Sequence, residues 1–196
     1  MTLNIETKRL FLKPLSMNDI DSMVIAIMSD KDVMKWLSNS NCVSTTEEQY
    51  NLALEYLKGF TEPWNKLGFG VWGLFYKETS SKSSYKFIGY CGFIPEKIPG
   101  TGPEIAYGLK KVMWGKGLIH EALNACLTWL FNKHEVPSVY AVTDINNVAS
   151  QRVMEKVGMK YIKDVDLYDS VANGEGLLPF YSIDRNIFFN NAPKMN

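Results

Sequence analysis

The chain has 196 residues, 46% of them hydrophobic and 21% charged. That is the makeup of one globular domain able to bury its own core, and it excludes a disordered, collagen-like or disulfide-stapled scaffold. Basic and acidic residues balance at 21 each, and the only arginines are Arg9, Arg152 and Arg185, so the concentrated basic face of a nucleic-acid binder is not expected.

Cys42, Cys91 and Cys126 are scattered and odd in number, and His120 and His134 have no partner at a metal-ligand spacing. The cysteines therefore read as reduced thiols, Cys91 and Cys126 as small core side chains, and no metal is expected. The first residues are charged at Glu6, Lys8 and Arg9, and no apolar run is long enough to span a bilayer. The expectation is a cytoplasmic protein with no membrane partner.

In chain order, residues 9–13 read as a short strand stopped by Pro14. Ser16 with Asp19 is a capping box, and Ile20, Met23, Val24 and Ile27 predict an amphipathic helix over 17–28. Trp36 falls in a loop or a short helical turn. Thr45 with Glu48 repeats the cap; Tyr50, Ala53, Leu54 and Leu57 line a second helix that Gly59 is expected to end. The period then turns extended, with a strand over 68–76, a polar turn over 78–84 and a returning strand over 85–94. A Pro- and Gly-rich loop over 95–102 leads into a strand at 103–109.

Leu118, Ala122, Leu123, Ala125, Cys126, Trp129 and Leu130 form the apolar stripe of a third helix ending near Lys133 and His134. Residues 138–143 are nearly all apolar and suit an interior strand. Ala149, Val153 and Val157 mark a fourth helix over 148–157, capped by Gly158. Two strands, 159–167 and 178–189, close the chain across a turn at 173–176. The class is α/β: one domain over 1–196, a mixed sheet with helices on its faces.

The strongest chemical signal is Trp114-Gly115-Lys116-Gly117, which joins a strand to the apolar third helix. Glycines there let the backbone approach a ligand, and the first-turn N–H groups of a helix have no intrahelical acceptors. A phosphate fits such a turn; so does a plain tight turn with no ligand. The segment matches neither GxxxxGK[ST] nor GxGxxG, and the chain has no GxSxG elbow. The next strand–helix junction, 142–150, sets Asn147 and Ser150 past the carboxyl end of an interior strand, where open sheets bind ligands. The plainer reading is that Asn146 or Asn147 caps the helix.

Together these segments resemble the GCN5-related N-acetyltransferase (GNAT) superfamily, in particular its branch of ribosomal-protein N-terminal acetyltransferases. The likeness begins at Ile5-Glu6-Thr7-Lys8-Arg9-Leu10 and continues through Lys86-Phe87-Ile88-Gly89, Glu104-Ile105-Ala106-Tyr107-Gly108-Leu109 and residues 114–122 to residues 147–159. The resemblance implies the acyl-CoA N-acyltransferase fold, a mixed central sheet with splayed central strands flanked by helices. It also implies transfer of acetyl from acetyl-CoA, with no metal, to an amine-bearing small molecule or a protein N-terminus. A degenerate member that binds CoA or a partner protein without turnover is the alternative, and a homodimer stays open.

On that resemblance the superfamily's acyl-CoA signature falls on Trp114 to Ile119. The N–H groups of Gly115, Gly117, Leu118 and Ile119 would hold the pyrophosphate, with Ile119, in place of the usual small residue, narrowing the turn. Tyr107, Gly108 and Leu109 would offer backbone groups to the pantetheine arm, which Asn147 would also meet. Lys116, Arg152 and Lys156 are candidates for the adenosine and phosphate end, or are solvent-facing charges. Glu104 is the candidate base, or a group that organises a loop or binds the substrate cation. Ser150 is the candidate acid, because Met154 stands where many members have a tyrosine; Ser150 could equally cap the helix or contact cofactor, and Tyr107 is a further candidate. Acceptor specificity would come from the N-terminal helices and the loops around Trp36, Trp64 and 95–102, with Trp36 either packing or touching substrate.

Overall fold

The computed structural model of the protein describes residues 3–37, 43–78, 85–167 and 177–191. Cys42, most of the expected turn at 78–84 and the connection at 173–176 lie outside them. The chain opens with a hairpin, β1 (Ile5–Glu6) and β2 (Leu10–Pro14), whose last residue is the proline itself. The capping box of Ser16 and Asp19 forms as expected. The helix it starts changes pitch twice: a 3-10 turn (Met17–Asp19), α1 (Ile20–Met23) and a π turn (Val24–Met28). The Val24 carbonyl accepts both the N–H and the hydroxyl of Ser29, at 2.9 Å each, which closes the widened turn. One further turn, α2 (Lys31–Met34), is capped by Asp30.

The second predicted helix is longer than expected. α3 runs Thr46–Leu67, straight through Gly59, and ends at Gly68 with φ 75°. An interior glycine costs a helix only about 1 kcal/mol. Here burial of Leu52, Ala53, Leu57 and Phe60 on one face outweighs that cost. Tyr50, assigned to the apolar face, is exposed instead. Trp64 lies inside α3, its indole N–H donating to the Val71 carbonyl at 3.2 Å and its ring edge-on to Trp72 at 4.6 Å. It packs half-buried against the core from within the helix and not from a loop.

A meander follows, β3 (Val71–Lys77), β4 (Tyr85–Ile94) and β5 (Glu104–Leu109), then α4 (Leu118–Lys133), β6 (Ser138–Val142), α5 (Val148–Lys156), β7 (Lys160–Val165) and β8 (Leu178–Asp184). The expected strand over 178–189 stops at Asp184, and Arg185–Asn191 is a helix, α6. The β-prone Ile187-Phe188-Phe189 run yields to packing: as a helix it buries Phe188 against Phe131, 5.6 Å between ring centroids. In α5 the buried position is Met154, with Val157 buried at its C-cap, while Ala149 is exposed.

The strands form one 8-stranded sheet in the order β1-β2-β3-β4-β5-β6-β8-β7. Every neighbouring pair is antiparallel except β5–β6, which is parallel and, among the described residues, in register only at Glu104–Tyr140. Such a parallel pair needs a crossover, which α4 supplies. One face of β5, with Ile105 and Leu109, joins α4 and α5 in a core that holds the fully buried Trp72, Cys91 and Cys126. The other face, with Glu104, Ala106 and Gly108, looks toward α1, α2 and α3.

Candidate active site

The turn before α4 is built from both sides. Gly115 (φ 72°) and Gly117 (φ 71°) adopt the left-handed conformation that side chains resist. A Cβ at Gly115 would meet nothing within 4 Å, so this corner opens outward. Gly117 is the N-cap of α4, and the first-turn N–H groups after it have no acceptor among the described residues. The side chains of Leu118 and Ile119 point the other way, 1% and 8% exposed in the core. Ile119 therefore anchors the turn from beneath, its side chain packed in the core.

Behind the turn, residues distant in sequence hold it. Arg9 donates to the Lys116 carbonyl at 2.7 Å and pairs with Glu121 at 2.6 Å. Glu121 also accepts from the Thr7 hydroxyl and the Arg9 N–H. Burial pushes the Glu121 pKa up, but the donors at Thr7 and Arg9 outweigh it, so its carboxyl lies below its ordinary value. Lys111 pairs with Asp32 and so ties the approach to the turn to α2. The Trp114 indole donates to the Leu109 carbonyl at 2.6 Å, folding the chain back over the end of β5. Beside the turn lies a cavity of ≈ 380 Å³ rimmed by Lys86, Lys110 and Lys116 over Ile88 and Met113.

At the second junction the Asn147 side chain accepts from the Ser150 N–H at 3.2 Å. That is the capping role, and it leaves the amide NH2 as the group able to meet a ligand. Arg152 and Lys156 lie exposed on α5. Ser150 Oγ and Tyr107 Oη are 2.7 Å apart, joining α5 to β5 across the side of the sheet that carries α4. Burial pushes the Tyr107 pKa well up, so the phenol keeps its proton at ordinary pH. Met154 is fully buried and offers no acid.

Glu104 stands on the opposite face, 6% exposed, at the one rung that joins β5 to β6. Tyr140 Oη donates to its carboxylate at 3.1 Å and accepts from the Lys97 N–H at 3.0 Å. Burial, then the Glu104 charge, raise the Tyr140 pKa and keep it a donor. Trp36 is half-buried outside the core clusters, with the Lys35 ammonium 4.6 Å above its ring. The predicted residues thus divide into three groups: the glycine turn, the Tyr107–Ser150 pair beside it, and Glu104 on the far side of the sheet. Sequence reasoning missed Tyr140, Arg9 and Thr7. The alternation of β6, which puts Tyr140 on the opposite face from Val139 and Ala141, was the available signal for the first.

Among the described residues no three His, Cys, Asp or Glu side chains could hold a metal ion, and no helix is long and apolar enough to cross a membrane. The chain is 31% identical over 160 residues to the uncharacterized protein YkkB of Bacillus subtilis (strain 168), covering 81% of this chain and 86% of that one. Its fold matches RimL, described as a ribosomal L7/L12 alpha-N-protein acetyltransferase in complex with coenzyme A. That match has a TM-score of 0.74 at 15% identity, covering 92% of this chain and 97% of that one. It also matches the microcin C7 self-immunity acetyltransferase MccE, solved with acetyl-CoA and AMP, with a TM-score of 0.72 at 13% identity over 91% of this chain and 93% of that one. The family model for the acetyltransferase (GNAT) domain matches residues 9–160, and with the splayed sheet and the glycine turn in place the chain belongs to that family.

Proposed function

We propose that this protein transfers an acetyl group from acetyl-CoA to a primary amine, either a protein N-terminus or a small-molecule amine. The observation that carries this reading is the outward-opening glycine turn at the head of α4, set beside the gap where β5 and β6 part after a single rung. Two relatives of the same fold, RimL and MccE, are described with coenzyme A and acetyl-CoA bound. The activity given for RimL supports a protein N-terminus and the ribosomal-protein branch as the first acceptor class to test.

In this reading the N–H groups of Gly115, Gly117, Leu118 and Ile119 hold the pyrophosphate, helped by the positive end of α4. Lys116, Arg152 and Lys156 meet the phosphate and adenosine end. The edge of β5 at Tyr107, Gly108 and Leu109, with the Asn147 amide, guides the pantetheine arm. The neutral amine approaches on the Glu104 face and attacks the thioester carbon. The new C–N bond forms, the C–S bond breaks, the amine proton passes to Glu104 directly or through water, and the departing sulfur takes a proton from the Ser150 hydroxyl, which solvent reprotonates as it takes up the proton held by Glu104. Base and acid stand on opposite faces of the sheet, and much of the rate comes from alignment.

Calorimetric titration with acetyl-CoA, with CoA and ATP as controls, tests the reading. Micromolar binding that requires the pantetheine portion is expected, and Gly117→Glu should abolish it by forcing a strained residue into the left-handed N-cap and adding a carboxylate beside the turn. Unchanged binding by that variant overturns the assignment. Binding without thiol release across amines and peptide N-termini would instead support a binding-only member.

A further inference from the structure

Tyr90 of β4 is 2% exposed and packs its ring 4.8 Å from Phe60 on the face that carries Glu104. Register sets it opposite Gly108 of β5. A Cβ at Gly108 would meet the Tyr90 ring at 2.6 and 2.8 Å and its hydroxyl oxygen at 3.0 Å. The ring therefore lies flat across β5, and only a glycine beneath it permits this. Its hydroxyl ends above a strand whose far edge, beyond the Glu104–Tyr140 rung, is not in register with β6.

That hydroxyl makes no hydrogen bond to any described residue. Burying a hydroxyl without a partner destabilises a fold, and a phenylalanine would fill the same space. Among the described residues the oxygen thus has no partner. Burial, with Tyr56 and Cys91 beside it, pushes its pKa well up, so it is a donor at neutral pH.

We infer that the Tyr90 hydroxyl is an acyl-binding group, donating a hydrogen bond to the carbonyl oxygen of a thioester that emerges through the β5–β6 gap onto the Glu104 face. The inference rests on the acyl-CoA reading above and adds the group that tells a thioester from a free thiol. A thioester offers a carbonyl acceptor at that point, whereas CoA ends in a thiol. The same oxygen gains negative charge as the amine attacks, so the contact tightens during turnover.

Titration of the full chain and of Tyr90→Phe with acetyl-CoA and with CoA is the test. Wild type should bind acetyl-CoA about tenfold tighter than CoA, the difference of one good hydrogen bond. Tyr90→Phe should bind CoA as before and acetyl-CoA about tenfold more weakly. Its unliganded melting temperature should be unchanged or higher, since the ring stays and only an unpaired oxygen goes. Equal preference in the two proteins, or no preference in wild type, overturns the inference and leaves the cofactor reading standing. A lower melting temperature in the variant overturns it too, by revealing a partner inside the chain. If wild type binds neither compound, the cofactor reading falls and this inference with it.

Discussion

Arg9 and Glu121, separated by 112 residues, meet at 2.6 Å behind the glycine turn, and the same guanidinium holds the Lys116 carbonyl at 2.7 Å. The turn between β1 and β2 thus braces the loop proposed to carry the pyrophosphate. Arg9→Ala is expected to lower the melting temperature by about 3–6 °C, corresponding to about 1–2 kcal/mol for a charged pair that is partly exposed. It should also weaken acetyl-CoA binding several-fold. Calorimetry and thermal melts on the same samples check both, and a variant that melts lower but binds normally would limit Arg9 to stability.

Glu104→Gln keeps the shape of the side chain and its place beside Tyr140 while removing the base. Turnover should fall about a hundredfold with acetyl-CoA affinity unchanged, as expected for the loss of one general base. Rates measured across the pH range with a competent amine decide it. Equal rates in the two proteins would remove Glu104 from that role.

Ser150→Ala and Tyr107→Phe interrupt the 2.7 Å contact at different ends. Ser150→Ala is expected to lower kcat about tenfold to a hundredfold with little effect on KM. Tyr107 keeps its proton because burial raises its pKa. Tyr107→Phe should therefore lower the rate by one constant factor from about pH 6 to about pH 9, without moving either limb of the profile. A shifted alkaline limb would show that the phenol titrates.

The cap of α3 makes a pH prediction away from the site. Glu48 accepts from the backbone N–H and hydroxyl of Ser44 and from the Thr45 N–H, and these contacts, the Ser44 backbone first, hold its pKa down at about 2. A depressed carboxyl pKa contributes stability that is present above the unfolded value of 4.5 and is lost as pH falls toward about 2. Melting temperatures between those values should fall less steeply in Glu48→Gln than in wild type. Parallel curves would show that the cap does not titrate with folding.

What could be read from the sequence was what is local. Trp114 to Gly117 stood out because a turn that needs two left-handed residues and a helix N-terminus leaves its mark in adjacent positions. The Tyr85 to Ile94 strand announced itself as the extended partner returning from a polar turn and was found at those bounds. Gly59 misled because propensity marks where a helix can stop, whereas burial of Phe60 one residue later decides that it does not. Glu104 itself was singled out through family likeness, and Tyr140, which reaches it from 36 positions away, was missed. Tyr90 read as one more aromatic of a strand, and only the glycine opposite it shows where its oxygen goes.

The lone rung between Glu104 and Tyr140 has a mechanical consequence. Strands β1 to β5 form one antiparallel block and β6 to β8 another, and through the sheet the two are coupled at one point. Within the sheet, any relative motion of the two blocks would concentrate at that seam. A long ligand seated along the seam would act as a splint, supplying the missing cross-links between the blocks. Backbone amides of β5 and β6 should then exchange with solvent more slowly once the seam is filled, while those of β2 and β3 change little.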